Sequence, residues 1–488
     1  MSYAFLRILN RSVHGAGRIS RLARVSVLSV AVVTALAFHA PGRGQSPRVT
    51  AAFFPSLESP SGLSMLGDRL LFVAHHPTMG QELWALDPGA SAPRLVRDIR
   101  SGERASFPSG LVAWHGRMYF TADDGGSGLE LWRSDGTTEG TQLVSDIRPG
   151  EDGSNPSSLT AVGDHLLFVA NDGRHGVELW SLDRNAPEPR RLLAGSTGPA
   201  ASNPHFLARV GERVYFVAAD DEAGDELWVT DGTSSGTRRV KDIVPGTSGS
   251  APRDLVAAGD LVFFVAHDDR HGAELWASDG TSAGTRLVKD IRPGPEAGRI
   301  TQPMAIGRTL YFVADDGGTG RELWKSDGTR EGTARVTDLQ PGPGSGAPMF
   351  LASVGGTLFF AASDGPHGVE LWRSDGTAAG TVLVRDLEPG PKSSLPSRLT
   401  AVQGQLVFTA SDAAHGAEPW ISDGTTEGTR PLVDALAGPG GSRAGQYAAF
   451  GDGLVFVATD NGGVERLWHA SPRGNPQVIG ERLEVPRR

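Results

Sequence analysis

Short apolar runs closed by Gly, Asp and Pro follow one another along most of this chain. Residues 107–155 show the pattern best. Apolar runs at 111–114, 117–122, 129–134 and 142–147 are separated by His115-Gly116, by Asp123-Asp124-Gly125-Gly126 and by Asp135-Gly136, and the last ends at Pro149-Gly150. Runs this short, with aromatic and β-branched residues inside and turn residues outside, predict strands rather than helices. Together the four predict one small antiparallel sheet.

That sheet is written many times over. Trp84, Trp132, Trp180, Trp228, Trp276, Trp324, Trp372, Trp420 and Trp468 stand at a constant spacing of 48 residues, so nine copies of one unit fill the chain. A four-stranded sheet of this size cannot bury both faces alone, and radial stacking buries them. The expected fold is therefore all-β, a β-propeller of nine four-stranded repeats in a single ring; eight blades plus a partial unit, or two smaller rings, are the alternatives. The ends argue for closure. Residues 48–51 fall one repeat before the fourth-strand segment 96–99, so an N-terminal strand could complete the last blade, although residues 478–485 could supply the same edge.

Positions that recur have packing or backbone reasons. Ala stands ten residues before every Trp, as at Ala122 and Ala314, which suits a bulky indole beside it. Asp stands eight before in every unit but the first, and Gly four before in every unit but the ninth, where Val464 replaces it. This is a turn whose carboxylate accepts backbone N–H groups while Gly takes a left-handed conformation. After the Trp comes Ser-Asp-Gly-Thr-x-x-Gly-Thr, complete at residues 134–141, 278–285, 326–333, 374–381 and 422–429, the expected turn between third and fourth strands. Units one, three and nine lose it and are the least self-similar.

At these residues the chain resembles the ELWxxDGT-repeat proteins, bacterial exported proteins. The motif reads Glu130-Leu131-Trp132-Arg133-Ser134-Asp135-Gly136-Thr137 and returns at Glu274, Glu322 and Glu370, and the resemblance covers residues 46–488. It implies a secreted or surface-associated repeat protein, with no activity attached to the family as such. The spacing of Ala122, Asp124, Gly128 and Trp132 is also similar to the tryptophan-docking motif of quinoprotein dehydrogenase propellers, in which the motif clamps neighbouring blades. That likeness supports the propeller and carries no quinone cofactor, since no adjacent cysteine pair exists.

Composition sets the compartment. Residues 1–24 carry five Arg and no acid, and 25–38 form an uncharged apolar run of 14 residues before Pro41 and Gly42. This reads as a general secretory signal peptide within 1–44, cleaved after about residue 37 or 44, because the run is shorter than the roughly 20 residues a membrane span needs. The repeat domain is then 45–488. Losing 1–44 removes six Arg and no acid, moving the net charge from −10 to −16. So acidic a surface is a poor partner for nucleic acid or anionic membranes. With no Cys there is neither disulfide nor lipidated cysteine. A soluble, monomeric export is the simplest expectation.

Candidate chemistry falls in three places. The turn aspartates, such as Asp124, Asp135, Asp268 and Asp279, are oxygen donors beside Gly and hence calcium candidates. One turn offers two or three carboxylates where calcium takes six to eight oxygens, so hydrogen bonding to their own turns is the simpler role, and no cofactor is expected. His175, His271, His367 and His415 repeat five residues before Trp, too far apart on separate blades to share one ion. The consensus Glu two before Trp recurs in eight units, whereas a catalytic residue is needed once. That leaves the seam of the first and last units, where His75, His76 and His469 depart from the repeat. Trp114, off the repeat, reads as core.

The expected function is that of a secreted or cell-surface binding or scaffolding module for an extracellular polysaccharide or protein, its ligand residues lying among the variable positions. The alternative is a propeller-type polysaccharide hydrolase or lyase with its site at the seam.

Overall fold

A computed structural model of the chain describes residues 57–470, apart from 91, 187 and 193–201. The expected signal peptide within 1–44, the two segments expected to compete for the last blade's outer edge, and their outcome lie outside the described residues.

Nine antiparallel sheets stand in a ring. Among the described residues eight have four strands in sequential order and the ninth has three. The second blade is representative, with strands Ser109–Trp114, Arg117–Asp123, Leu129–Ser134 and Gln142–Ser145. The first strand starts two residues before the expected 111 because its opening is bulged, with a register shift between Ser109 and Val112. The fourth stops two residues before 147, since the Arg148 N–H turns away to the Glu130 carboxylate at 3.1 Å.

Alternation along the second strand divides its side chains between two neighbours. Met118, Phe120 and Ala122 pack with Leu71, Leu83 and Val96 of the first blade, while Tyr119 packs with Leu166 and Phe168 of the third. Nine such hydrophobic clusters occur among the described residues, one astride each blade-to-blade interface. Each fully buried Phe contributes roughly 1.5–3 kcal/mol relative to exposure, so the core is a closed series of layers between blades.

The recurrent Trp docks on the preceding blade, as Trp324 does on Leu275, Ala277 and Val288. The turn that follows it is held there as well. Lys289 donates to the Thr333 carbonyl at 2.7 Å and lies 5.8 Å from the Trp324 ring centre. Lys241 reaches the Thr285 carbonyl at 2.8 Å and Arg385 the Thr429 carbonyl at 2.6 Å in the same way. The Ala ten residues before each Trp has a second use beyond making room: Ala122 sits opposite Glu130 across the strand pair, and in several blades this Ala's carbonyl accepts the indole N–H, Trp84 to Ala74 at 3.2 Å for example.

The ring closes between the ninth and first blades. Leu57, Leu70, Phe72 and Trp84 share a cluster with Phe450, Val455 and Leu467, and the Gly62 N–H donates to Gln446 Oε1 at 3.1 Å. Trp114 is core, 6% exposed, its indole N–H donated to the Gly163 carbonyl of the next blade at 3.1 Å.

Candidate functional site

Each blade presents two ends. At one, turns join first to second and third to fourth strands; at the other, short turns join second to third strands and longer loops cross between blades. First strands of successive blades touch one another all the way round the ring, including Gly445–Phe450 against Glu58–Leu66, and so line the central channel.

The blade-crossing loops are anchored by the consensus glutamate. Glu370, wholly buried, accepts the Ser394 hydroxyl at 2.6 Å and the N–H groups of Leu387 and Ser394 at 3.1 and 2.8 Å. The same pairing joins Glu82 to Ser106, Glu130 to Ser154, Glu178 to Ser202, Glu226 to Ser250 and Glu418 to Ser442. Burial raises these carboxyls above their ordinary range, to about 7 at Glu82, where the Ser106 hydroxyl and three N–H groups only partly offset it. Gly128 serves the same crossing, since it has φ +66° and a Cβ there would lie 2.5 Å from the Glu151 carbonyl oxygen.

Where the loop enters the next blade, the backbone twice adopts the left-handed conformation. The first such position in the blades is Ser59, Phe107, Asn155, Asn203, Ala251, Arg299, Ala347, Leu395 and Arg443, with φ between 43° and 55°. The second, three residues on and within the bulge, is Gly62, Gly110, Ser158, Phe206, Asp254, Gln302, Phe350, Arg398 and Gln446. Non-glycine residues in this region cost about 1–3 kcal/mol each and persist where the surroundings demand them. The second position is linked to that of the next blade at two places: Gln302 Oε1 accepts the Phe350 N–H at 3.1 Å, as Gln446 Oε1 accepts that of Gly62. Phe107, Phe206, Phe350 and Leu395, 45–59% exposed, are the large apolar side chains left in solvent among the described residues, and all four occupy these two positions.

No protein-family model matches the chain, and no curated protein matches it. Among solved structures, the chain is similar to a puromycin-hydrolysing peptidase of Mycobacterium tuberculosis, with 14% identity over 89% of this chain and 60% of that one and a TM-score of 0.40. It is similar also to oligopeptidase B from Leishmania major, 12% identical over 72% of this chain and 53% of the other, TM-score 0.41. The β-propeller domain of the Trilobed protease from Pyrococcus furiosus, which has an open velcro topology, aligns over 67% of this chain and 98% of its own at 12% identity and a TM-score of 0.35. The chain thus spans little more than half the length of the two whole peptidases.

The sequence candidates distribute differently. His75 and His76 end the second strand of the first blade, at the loop end, His75 exposed and His76 bonded to Thr78 Oγ1 at 3.1 Å. His469 lies on the last described strand opposite Val455, near the hairpin end, packed edge-on against Phe450. The seam brings the two blades together but sets these histidines at opposite ends.

The calcium candidates are engaged by their own turns. Asp135 Oδ1 accepts the Thr137 N–H and hydroxyl at 2.9 and 2.7 Å, and Asp279 treats Thr281 alike at 2.8 and 2.7 Å. Asp124 accepts two N–H groups at 2.8 Å, and Asp268 those of Arg270 and His271. All four lie below the usual carboxylate range: the threonine hydroxyl leads at Asp135 and Asp279, while at Asp124 and Asp268 burial acts the other way and is outweighed by donated bonds. The repeated histidines pair within their loops, His175 to Asp172 at 2.7 Å and His415 to Asp412 at 2.9 Å. Among the described residues no three His, Asp or Glu side chains gather as metal ligands would, and no helix is long and apolar enough to cross a membrane.

Sequence reasoning missed the channel-mouth residues individually. They are the variable positions, and the one signal available was variability at a fixed phase of the repeat.

Proposed function

We propose that the chain is an exported β-propeller of the ELWxxDGT-repeat kind that binds an extracellular glycan at the loop-end mouth of its channel. The observation that carries this reading is the channel-mouth ring: one backbone position, left-handed in all nine blades and occupied by a non-glycine residue in seven of them, carries six different residue types, among them the exposed Phe206 and Phe350. A purely structural position at this phase would have kept Gly, as Gly62 and Gly110 do. Exposed aromatic rings beside amide, carboxylate and guanidinium groups are the surface a sugar needs, with apolar ring faces to stack on and polar groups for its hydroxyls.

Retention of the purified chain on immobilised cell-wall and extracellular polysaccharides, with calcium and with chelator, tests the proposal. Glycan-dependent retention is expected. Its absence across the panel would overturn the glycan reading in favour of a protein partner.

A further inference from the structure

One stretch of the channel mouth breaks the repeat in a single chemical direction. Between the fifth and sixth blades a cleft of about 490 Å³ is lined by Arg253, Asp254, Arg299, Ile300, Thr301 and Arg321. Its three arginines come from three separate phases of the repeat. Arg321 begins the third strand Arg321–Ser326; its counterparts in the other units are uncharged in six and acidic in two, Asp225 and Glu465. No other unit has Lys or Arg at the place of Arg253, and only Arg443 matches Arg299. The eight other units serve as internal controls for what blade packing requires, and packing requires none of these guanidinium groups.

Their bonding leaves capacity for a ligand. Arg253 pairs with Asp254 at 2.9 Å, and Arg299, with 65% of its side chain exposed, reaches Asp315 at 3.5 Å. Arg321 has no carboxylate within ion-pair distance among the described residues. Its Nη2 donates to Thr301 Oγ1 at 2.7 Å, and its Nε is buried without a hydrogen-bond partner. With no carboxylate paired to it, the Arg321 guanidinium keeps its charge for an oxyanion that enters the cleft it lines. The cleft therefore carries positive charge on a chain whose net charge is −10.

Building on the glycan reading above, we infer that this cleft takes the acidic substituent, carboxylate or sulfate, of an anionic saccharide, with Arg321 as its anchor and Arg253 and Arg299 at its sides. The Thr301 hydroxyl and Asp254 carboxylate stand at the same cleft as partners for neighbouring sugar hydroxyls. The volume is in the range of small-ligand sites, enough for one or two sugar units, so further units would continue toward Gln302 and Phe350.

The test is equilibrium binding of the full chain to oligogalacturonate, to a sulfated dextran oligomer, to neutral dextran, to methyl-esterified oligogalacturonate and to polyglutamate. Tighter binding of an acidic oligosaccharide than of its neutral counterpart is expected, and which acid wins identifies the oxyanion. Arg321→Gln should weaken it about tenfold or more. Arg299→Gln, at an exposed side chain that folding does not need, should weaken it to a lesser degree. Arg308→Gln, in the hairpin-end turn of the sixth blade, should leave it unchanged. Neutral and acidic sugars bound alike, or acidic sugar unaffected by both cleft variants, would overturn the assignment while leaving the glycan reading standing. No sugar bound at all would remove both, and polyglutamate captured through Arg321 without any sugar would replace them with an acidic peptide.

Discussion

Arg466 donates from Nη1 to the main-chain carbonyl of Leu57 at 2.7 Å, across the point where the ring begins and ends. Arg466 occupies the place that the loop-anchoring glutamate holds in the other eight units. There a carboxylate accepts N–H groups and, in six of the eight, a serine hydroxyl, whereas here a guanidinium donates to a carbonyl and pairs with Asp460 at 3.2 Å. The polarity of the anchor is inverted at the interface between the ninth and first blades.

Restoring the consensus at this position should therefore harm the protein. Arg466 is 8% exposed, and Arg466→Glu would set a carboxylate against the Leu57 carbonyl and Asp460. Loss of a buried, paired charge costs about 3–5 kcal/mol, so the denaturation midpoint should fall clearly, although consensus substitutions commonly stabilise. An unchanged midpoint in chemical denaturation would mean that Arg466 does not hold the seam.

Eight buried glutamates give stability an unusual pH dependence. Burial lifts Glu82 and Glu274 from 4.5 to about 7 and raises Glu130, Glu178, Glu226, Glu322, Glu370 and Glu418 in the same direction. Between those values the folded chain holds protons that the unfolded chain has released. Stability is then full below the unfolded value and is lost as pH rises toward 7. His367 and His415, raised by their bonds to Asp364 and Asp412, act in the same sense at higher pH. The turn aspartates act oppositely. Asp172, held at about 2 because the His175 and N–H bonds outweigh its burial, contributes stability above 3.8 that is lost as pH falls. The melting temperature should therefore peak on the acid side, near pH 4–5, and decline toward pH 8. Glu274→Gln should flatten that decline; a rise in stability from pH 5 to 8 would contradict the assignment.

The ring and its nine blades were legible from the 48-residue Trp spacing because an interface repeated nine times imposes its period on the chain. The anchor was half legible. Glu370 and Ser394 stand 24 residues apart, and six of eight units repeat that pair, yet nothing in the spacing says that two polar residues on separate elements meet. The left-handed residues were hidden altogether, since Phe350, Gln302 and Arg398 have no propensity for that conformation. Tertiary constraint puts them there: the Leu395 N–H is pinned to the Val369 carbonyl at 3.2 Å just before the chain bends into the channel. At Arg466 the sequence shows only that the consensus Glu is absent; what replaces it is visible in the bond to Leu57 across the seam.

The turn aspartates allow a direct test of calcium. Because Asp279 spends its Oδ1 on the Thr281 N–H and hydroxyl, Asp279→Ala should cost about 1–2 kcal/mol from lost turn bonds, and the loss should be the same in calcium and in chelator. A melting temperature that rises with calcium in the parent chain and not in the variant would instead establish the turn as a cation site.

Phe350 separates ligand binding from folding most cleanly. Its side chain is 45% exposed and its φ is +56°, so Phe350→Gly relieves a left-handed cost of about 1–2 kcal/mol. The added freedom of Gly in the unfolded chain takes back roughly 0.5–1 kcal/mol. The backbone N–H that donates to Gln302 is kept. Stability should thus stay within about 1 kcal/mol of the parent, in contrast to Phe360→Ala, at a wholly buried ring ten residues on, which should cost about 3–5 kcal/mol. Glycan retention should follow the reverse order, weakened by Phe350→Gly and by Phe206→Gly. If both glycine variants bind as the parent does, the exposed aromatics are not the sugar platform and the channel mouth loses its claim to the ligand.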